Sequence, residues 1–379
     1  MADSVSSLCL ASAYYPPHMG GVEIFTQNLA RELLRRNIEV TVVTNGIDDA
    51  GESCAPEGIT LFRMPARDPL GRFPLSVNNA QSRELWEQLA SRHFDGYVVN
   101  TRFYPLMLKM LAHAKQQGTR PVLIEHGSAY LSVGNPLVDA AMRRYEDSIA
   151  SKVRAANPHC FGVSQEASDW LRNFGLEPEG VIHNSIDAEV FANSASNRDF
   201  RAEYGIPADA CLIAFTGRII AEKGIWTLLD IARTLEHEPF YFIVGGAGPQ
   251  EQALNARKPS NMKVVGRLSH EDVAALLKQA DIYYYPSTYP EGLPTSLLEA
   301  AACEAAIITT PVAGAREIIP SPEYGTIVDK ATTDAFLEAI RQAWSDRNAL
   351  QARAQKCAAH VASAFSWERT ADALLSVWS

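Results

Sequence analysis

The feature that most constrains the fold is a repeated alternation of short apolar runs with amphipathic stretches. In the first half the apolar runs are SLCLASA, IEVTVVT, YVVN, PVLIE and CFGVS. Helical spacing separates them and is clearest at Val22, Phe25, Leu29 and Leu33, directly after the first run. Short β-branched runs that alternate with helical periodicity predict a parallel sheet flanked by helices. The first half is therefore predicted to be a doubly wound α/β domain.

The same alternation resumes after an interruption at NSIDAEVFANSASNRDF, where Asn, Ser, Ala and Asp replace the apolar periodicity. We place the interdomain linker there, because no strand is expected in such a segment. The runs CLIAFTG, FYFIVGG, MKVVG, DIYYYP, AIITT and TIVD then predict a second parallel sheet. The 379 residues suit two domains at roughly 150 residues each. We predict domains at 1–186 and 187–364, and an apolar closing helix at 365–379 that packs back on the first domain.

Composition excludes several classes of protein. Hydrophobic residues make up 47% of the chain and charged residues 21%, which is typical of a globular enzyme. The formal net charge of -10 argues against nucleic acid as a partner, because binding to the phosphate backbone of a nucleic acid demands a basic face. The six cysteines form no C-x-x-C pair, and no apolar run reaches 18 residues. We expect a cytoplasmic protein.

A peripheral contact with the inner face of a membrane stays open. Arg63, Arg67 and Arg72 form a basic loop that is able to meet anionic lipid headgroups. A solvated loop is the more ordinary explanation of such a charge pattern.

Two segments suit a diphosphate. In PPHMGGVE, Gly20 and Gly21 lie between the first strand and the first helix, where glycine lets backbone N–H groups approach a phosphate. In TGRIIAEKG, Arg218 and Lys223 follow a strand, and two cations there would neutralise the charge of a departing phosphate. The loop is not a G-x-G-x-x-G fingerprint, which disfavours a nicotinamide dehydrogenase.

The segment YPEGLPTSLLEA is the most informative. A helix is predicted to begin near Pro294, so the N–H groups around Ser296, Leu297 and Leu298 would be unpaired and available to phosphate oxygens. Glu291 precedes this helix and would project towards a sugar. Glu299 lies about one turn into the helix and could accept hydrogen bonds from ribose hydroxyls.

Two further residues complete the predicted site. His126 follows the strand PVLIE, where it could bond a sugar hydroxyl or a leaving phosphate oxygen. Arg267 in VVGRL ends a strand that could seat a planar base, whereas VGGAGP is interpreted as a strand-to-helix turn. No His spacing and no Asp-x-Asp pair indicates a metal site, so no metal and no cofactor are expected.

Taken together and in this order, these motifs resemble the family-4 retaining glycosyltransferases of the GT-B fold. The resemblance covers nearly the whole chain, from PPHMGGVE through EHG, HNSID, GRIIAEKG and EGLPTSLLE to FSWE. It implies two Rossmann-like domains that face each other across a cleft, with the closing helix crossing back to the first.

The resemblance also implies roles for individual residues. Gly20 and Gly21 would face the donor diphosphate, Arg218 and Lys223 would bind it, and His126 would contact the sugar. Glu291 would lie near the transferred sugar and Glu299 would bind the ribose.

The chain departs from the family pattern at three points. Ser185 and Glu304 stand where glycines are usual, and Leu293-Pro294 replaces the common Phe-Gly. Proline at 294 removes a backbone donor, so the resemblance implies a different way of holding the sugar hydroxyls at this point.

The resemblance implies metal-independent transfer of a sugar, with retention, from a nucleoside-diphosphate sugar to a hydroxyl acceptor. UDP is the expected donor nucleotide and GDP the next candidate. The acceptor, expected near Tyr14, Tyr15 and residues 63–78 or 102–107, stays open between a saccharide, a polyol and a lipid-linked saccharide. Polysaccharide, glycolipid or glycoconjugate synthesis would use such a reaction. Two alternatives remain, a GT-B nucleotide-sugar 2-epimerase and a non-catalytic nucleotide-sugar-binding protein.

Overall fold

The chain forms two α/β units in a computed structural model that describes residues 5–18, 20–47, 49–55, 57–69, 71, 73–132 and 134–379. Residues 1–184 together with 367–379 form the first unit, and residues 185–366 form the second. Each unit has its own sheet and its own apolar core.

The first unit is built on a mainly parallel sheet. Its elements are β1 (Ser7–Ala11), α1 (Gly21–Arg35), β2 (Glu39–Gly46), β3 (Gly51–Cys54), β4 (Thr60–Arg67), β5 (Leu75–Ser76), α2 (Ala80–Ala90), β6 (Gly96–Asn100), α3 (Pro105–Gln116), β7 (Val122–Glu125), α4 (Pro136–Ala155), β8 (His159–Gly162), α5 (Gln165–Trp170) and β9 (Gly180–Val181). The strand order is β3-β4-β2-β1-β6-β7-β8-β9, and β5 pairs with β4. β3 and β5 are antiparallel to β4, whereas the other described pairs are parallel. The strand order changes direction between β1 and β6.

The second unit is built on a fully parallel sheet. Its elements are α6 (Ala188–Asn193), α7 (Phe200–Tyr204), β10 (Cys211–Thr216), α8 (Ile225–Thr234), β11 (Phe240–Gly245), α9 (Glu251–Arg257), β12 (Met262–Gly266), α10 (His270–Gln279), β13 (Ile282–Tyr285), α11 (Thr295–Ala302), β14 (Ala306–Thr309), α12 (Ala315–Ile318), β15 (Thr326–Ile327), α13 (Thr333–Ser345) and α14 (Arg347–Ala364). The order β12-β11-β10-β13-β14-β15 is that of a Rossmann sheet, as the alternation predicts. Its switch point lies between β10 and β13.

The last helix, α15 (Trp367–Leu375), packs within the first unit. The Trp367 ring meets Phe25 of α1 at a centroid distance of 5.7 Å. Arg36 Nη1 lies 2.6 Å from Asp372 Oδ1, so an ion pair flanks the apolar contact. The apolar face predicted for the closing helix is thereby buried, and the helix joins the N-terminal unit as the fold class implies.

The segment predicted to be a linker contains no strand, as expected, and includes the short helix α6 and the start of α7. Asp187 and Asp199 cap two short helices, α6 and α7, by accepting hydrogen bonds from the Val190 and Ala202 amides. Such caps suit Asp because its carboxylate satisfies amides that lack an intrahelical partner. The missing apolar periodicity is therefore accompanied by short capped helices.

A buried cluster of charges lies at the carboxyl ends of β6 and β7. Arg102 is 1% exposed, and its guanidinium contacts the carboxylates of Glu125 on β7 and Glu146 on α4. The Glu146 carboxylate also accepts a hydrogen bond from the Leu131 amide at 2.8 Å. The guanidinium covers the Phe174 ring at 3.6 Å from its centroid. One cation therefore faces two carboxylates away from water.

Burial raises the pKa of Glu146 to about 7, although Arg102 and the Leu131 amide oppose this shift. A carboxyl whose pKa is raised in the folded state stabilises folding at low pH. That stabilisation is lost as the pH rises through about 7.

We therefore expect Glu146→Gln to flatten the pH dependence of unfolding. Between pH 5 and pH 8 the wild type should lose about 2 kcal/mol more unfolding free energy than the variant, because the amide does not ionise. Denaturant unfolding at the two pH values measures this difference. Glu87→Gln, at an exposed position of α2, is the control. Equal pH dependence in the Glu146 variant and the wild type would contradict the prediction.

Glu304, one of the three departures from the family pattern, adopts a left-handed backbone. Its φ is 57°, and it is an exposed residue just after α11. A side chain in this region costs energy that glycine avoids.

We expect Glu304→Gly to raise the free energy of unfolding by about 0.5 to 1 kcal/mol, because relief of strain exceeds the added freedom of the unfolded chain. Asn157→Gly, at φ 48°, should change stability less, since asparagine tolerates this conformation. Chemical denaturation of both variants tests the comparison. A Glu304→Gly protein less stable than the wild type would show that the strain is not significant.

Candidate functional site

In the second unit, two predicted site residues meet at the switch point of the sheet. Lys223 lies in a short 3₁₀ turn after β10, and Glu291 lies in the loop after β13. Their side chains form an ion pair and are only 11% and 18% exposed. Ligands of doubly wound sheets bind outside the carboxyl ends of the strands at this point. The fold therefore joins two residues that are far apart in the sequence.

Tyr285, which the sequence prediction missed, contacts both members of this pair. Its hydroxyl donates to Glu291 Oε1 at 2.9 Å and accepts a hydrogen bond from Lys223 Nζ. The residue ends β13, so its position at a strand terminus was the available signal.

The charge of Lys223 is held in a largely dry environment. Burial lowers its pKa; the contacts with Glu291 oppose this shift, and the charge of Arg218 adds to it. Arg218 is exposed, and its guanidinium lies 5.4 Å from the centre of the Tyr289 ring. Lys223 Nζ lies 5.8 Å from the same ring. Both predicted cations thus flank Tyr289, and Arg218 has no hydrogen bond or ion pair with any other described residue.

The start of α11 lies near Pro294, as the sequence predicts, but one of the three amides expected to be unpaired has a partner. The helix begins at Thr295, and Pro294 is its N-cap. The Leu297 amide donates to the Pro294 carbonyl at 3.1 Å, so it is not unpaired as predicted. The side chains of Leu297 and Leu298 are fully buried, and the Ser296 side chain bonds Tyr283. A proline carbonyl closing a tight first turn accounts for the difference.

Glu299 is half-buried on α11. Burial raises its pKa, while the charge of His270 on α10 acts in the opposite direction. Within the described part of the chain, the Glu299 carboxylate forms no hydrogen bond and no ion pair. A partly desolvated carboxylate in this position is suited to accept bonds from hydroxyl groups.

The glycine-rich segment VGGAGP connects β11 to α9, so it is the strand-to-helix turn that the sequence predicts. A Cβ on Gly246 would lie 1.8 Å from the Gly217 carbonyl oxygen, so the two backbones pack in contact. Gly246 also donates to the Gly266 carbonyl at 2.7 Å. Arg267 follows β12 as an exposed side chain and is not brought against the Lys223 pair by any described contact.

In the first unit, Gly20 and Gly21 have different surroundings. Gly20 is the N-cap of α1, and a Cβ on it would lie 2.3 Å from Glu23 Oε2. Glu23, which the prediction missed, is buried, and its other carboxylate oxygen lies 3.3 Å from His18 Nδ1. A Cβ on Gly21 would meet no atom within 4 Å. Gly20 therefore accommodates a neighbouring carboxylate, and Gly21 leaves open space at the helix start.

His126 is held in one tautomer by Asn100, another residue that the prediction missed. Its Nε2 lies 2.8 Å from Asn100 Oδ1, while Asn100 Nδ2 donates to the Ala11 carbonyl at 3.2 Å. The Nε2 atom must then carry the proton. Burial lowers the pKa of His126 to about 3, so the ring is neutral. Nδ1 is therefore a hydrogen-bond acceptor, which suits a sugar hydroxyl and not a phosphate oxygen.

The loops expected to bind the acceptor form an aromatic and polar cluster. Tyr14 stacks on His18 at 4.2 Å, and its hydroxyl bonds the Asp68 carboxylate. Arg63 and Arg67 lie on strand β4 and not in a basic loop as predicted. Arg63 donates to the Pro16 carbonyl at 2.9 Å and pairs with Asp49 at 3.1 Å. Arg63 is therefore engaged within the protein, and Arg72 lies outside the described residues.

The described part of the chain lacks both a membrane-spanning helix and a metal-binding cluster. None of its helices is both long and apolar enough to cross a bilayer. Its His, Cys, Asp and Glu side chains form no group of three or more that is suited to a metal ion.

Comparisons with known proteins agree with this architecture. An uncharacterized glycosyltransferase of Methanocaldococcus jannaschii is 22% identical over 381 residues, covering 96% of this chain and 95% of that protein. Sucrose-phosphate synthase from Thermosynechococcus elongatus superposes with a TM-score of 0.74 at 20% identity, covering 98% of both chains. Anabaena HepE in complex with UDP-glucose superposes with a TM-score of 0.71 at 16% identity, covering 98% of both chains. At these identities the structures establish the fold.

Family models match both halves of the chain. The model for Glycosyltransferase Family 4 matches residues 19–190. The model for Glycosyl transferases group 1 matches residues 196–360. The chain therefore belongs to the family-4, group 1 glycosyltransferases, and it has the GT-B fold that its motifs imply.

Proposed function

We propose that this glycosyltransferase moves a sugar, with retention and without a metal, from a nucleoside-diphosphate sugar to a hydroxyl acceptor. The observation that carries the proposal is the meeting of Lys223, Glu291 and Arg218 around two tyrosines at the switch point of the second sheet. A cation and a carboxylate at that position suit a diphosphate and a sugar hydroxyl, respectively. UDP is the proposed nucleotide, and the structural likeness to a protein solved with UDP-glucose supports it.

In this proposal, two cations stabilise the leaving diphosphate. Arg218 has no competing ion pair in the described structure and would bind the phosphate from the solvent side. Lys223 would exchange its contact with Glu291 for a phosphate oxygen, and that exchange would release the carboxylate for the sugar. Electrostatic stabilisation of the leaving group by fixed cations lowers the barrier to breaking the glycosidic bond.

The remaining assignments concern hydroxyl groups. Glu299 would accept hydrogen bonds from the ribose, and His126 Nδ1 would accept one from the donor sugar. The leaving phosphate would help to deprotonate the acceptor hydroxyl on the same face of the sugar, which gives retention. The acceptor class is a saccharide, a polyol or a lipid-linked saccharide, and a peripheral membrane contact is compatible with the last of these.

The proposal predicts that removing either cation abolishes most turnover. We expect Arg218→Ala and Lys223→Ala to lower the rate of UDP-sugar hydrolysis at least about a hundredfold, because each loses a charge that stabilises the leaving group. Calorimetry with UDP and a discontinuous assay of released UDP measure binding and turnover. Lys330→Ala, an exposed cation of the same unit, is the control and should behave as the wild type.

Near-normal rates in both variants would remove these residues from the mechanism. A wild-type protein that binds no nucleotide in a panel of UDP, GDP and their sugars would reject the proposed function. Release of an epimerised sugar without acceptor would instead identify a 2-epimerase, and binding without turnover on any acceptor would identify a sensor.

Retention predicts the configuration of the product. With an α-linked UDP-sugar, we expect an α-linked glycoside, which the anomeric coupling constant in the proton NMR spectrum identifies. A β-linked product would show inversion and would exclude front-face attack.

A further inference from the structure

Strand β13 contains three consecutive tyrosines with different surroundings. Tyr283, Tyr284 and Tyr285 are each no more than 1% exposed. Alternate residues of a strand point to opposite faces, so Tyr283 and Tyr285 share one face and Tyr284 lies on the other. The Tyr283 and Tyr285 rings stack at 6.1 Å, whereas Tyr284 packs on Phe336 at 4.8 Å. The three side chains are thus equally buried, but their rings pack against different partners.

The hydroxyl groups differ more than the rings do. The Tyr284 hydroxyl has no hydrogen-bond partner among the described residues. The Tyr285 hydroxyl uses its proton for Glu291 Oε1 at 2.9 Å and a lone pair for the Lys223 ammonium. A phenylalanine would fill the same space at 285, so packing alone does not require this hydroxyl.

We propose that Tyr285 is a positioning residue, whose hydroxyl holds the Lys223 ammonium and the Glu291 carboxylate in register at the donor site. The inference rests on the proposed function, because it concerns the same diphosphate and sugar. It adds a residue that the family motifs in this chain do not include.

Lys223 and Glu291 form a direct ion pair at the donor site. A diphosphate that binds Lys223 must compete with Glu291, and both side chains are largely buried. When that pair opens, the loss of a donor to a largely buried carboxylate is costly. The Tyr285 hydroxyl keeps a hydrogen bond to Glu291 while the ammonium turns to the phosphate. The hydroxyl thus lowers the cost of exchanging Glu291 for a phosphate at Lys223. It also keeps the Glu291 carboxylate directed at the donor site.

The Tyr285 hydroxyl also affects the protonation of Lys223. The charged and titratable groups that face it are Glu291, Arg218, Tyr285 and Tyr289. Burial and Arg218 lower its pKa, and Glu291 raises it. Removing the Tyr285 hydroxyl deletes a hydrogen-bond acceptor for the ammonium. The pKa of Lys223 should therefore fall further, and phosphate binding should be lost at a lower pH than in the wild type.

The test is Tyr285→Phe, with Tyr284→Phe as the matched control on the opposite face of the same strand. We expect the 285 variant to lower kcat for UDP-sugar hydrolysis about tenfold, with a smaller effect on KM. The alkaline limb of UDP affinity, measured by calorimetry between pH 6 and pH 10, should move about half a pH unit lower or more. The 284 variant should leave both quantities as in the wild type, because its hydroxyl has no partner.

A measurement without nucleotide provides an independent readout. The Cε chemical shift of Lys223, in protein with ¹³C-labelled lysine and assigned with Lys223→Arg, reports its titration directly. Tyr285→Phe should lower that titration midpoint, and Tyr284→Phe should not. If the role of Tyr285 is purely structural, Tyr285→Phe should reduce stability without moving the titration midpoint of Lys223.

The outcomes separate the two proposals. If the wild type binds no nucleotide, the proposed function fails, whatever the tyrosine variants do. If the wild type binds UDP and Tyr285→Phe matches Tyr284→Phe in kcat, in the alkaline limb and in the Lys223 titration, the positioning role is overturned and the proposed function stands.

Discussion

The geometry of a parallel sheet is the constraint on which the candidate site depends. Every connection in such a sheet leaves from the carboxyl end of a strand, so the loops that follow neighbouring strands collect at one edge. In the second unit, β10 and β13 are neighbours although three helices and two strands separate them in the chain. That adjacency brings Lys223 and Glu291 into contact. The chemistry proposed here is therefore a consequence of strand order as much as of residue type.

Both units bury charge, and in both the burial is compensated by specific partners. In the first unit, Arg102 lies between two carboxylates and against an aromatic face. In the second, Lys223 lies against a carboxylate and a phenol. An isolated buried charge would be very costly, so such groups persist only where partners are arranged around them. The proposed function adds one difference between the two units, because a bound phosphate would replace Glu291 as the partner of Lys223.

The first unit contributes polar groups whose hydrogen-bonding roles are set by their neighbours. Asn100 fixes the tautomer of His126, and burial keeps the ring neutral. The backbone amide of His126 also donates to Glu125, which links the residue to the buried Arg102 cluster. A histidine held in this way acts as an acceptor through Nδ1. The role proposed for it is therefore recognition of a hydroxyl, and proton transfer near neutral pH is not expected of it.

The sequence by itself did not determine the antiparallel strands β3 and β5, but it determined the parallel strands of both sheets, the amphipathic closing helix and the residue types at the strand ends. These follow from apolar periodicity and from motifs that lie within a few residues of one another, which are local properties of a chain. Only the tertiary structure decided that Lys223 pairs with Glu291, that Tyr285 contacts both of them, that Asn100 bonds His126, and that the Pro294 carbonyl accepts the Leu297 amide. Contacts between residues distant in the chain, and hydrogen bonds that depend on a tight turn, are set by strand order and local geometry. A linear pattern of residue types does not record either of these.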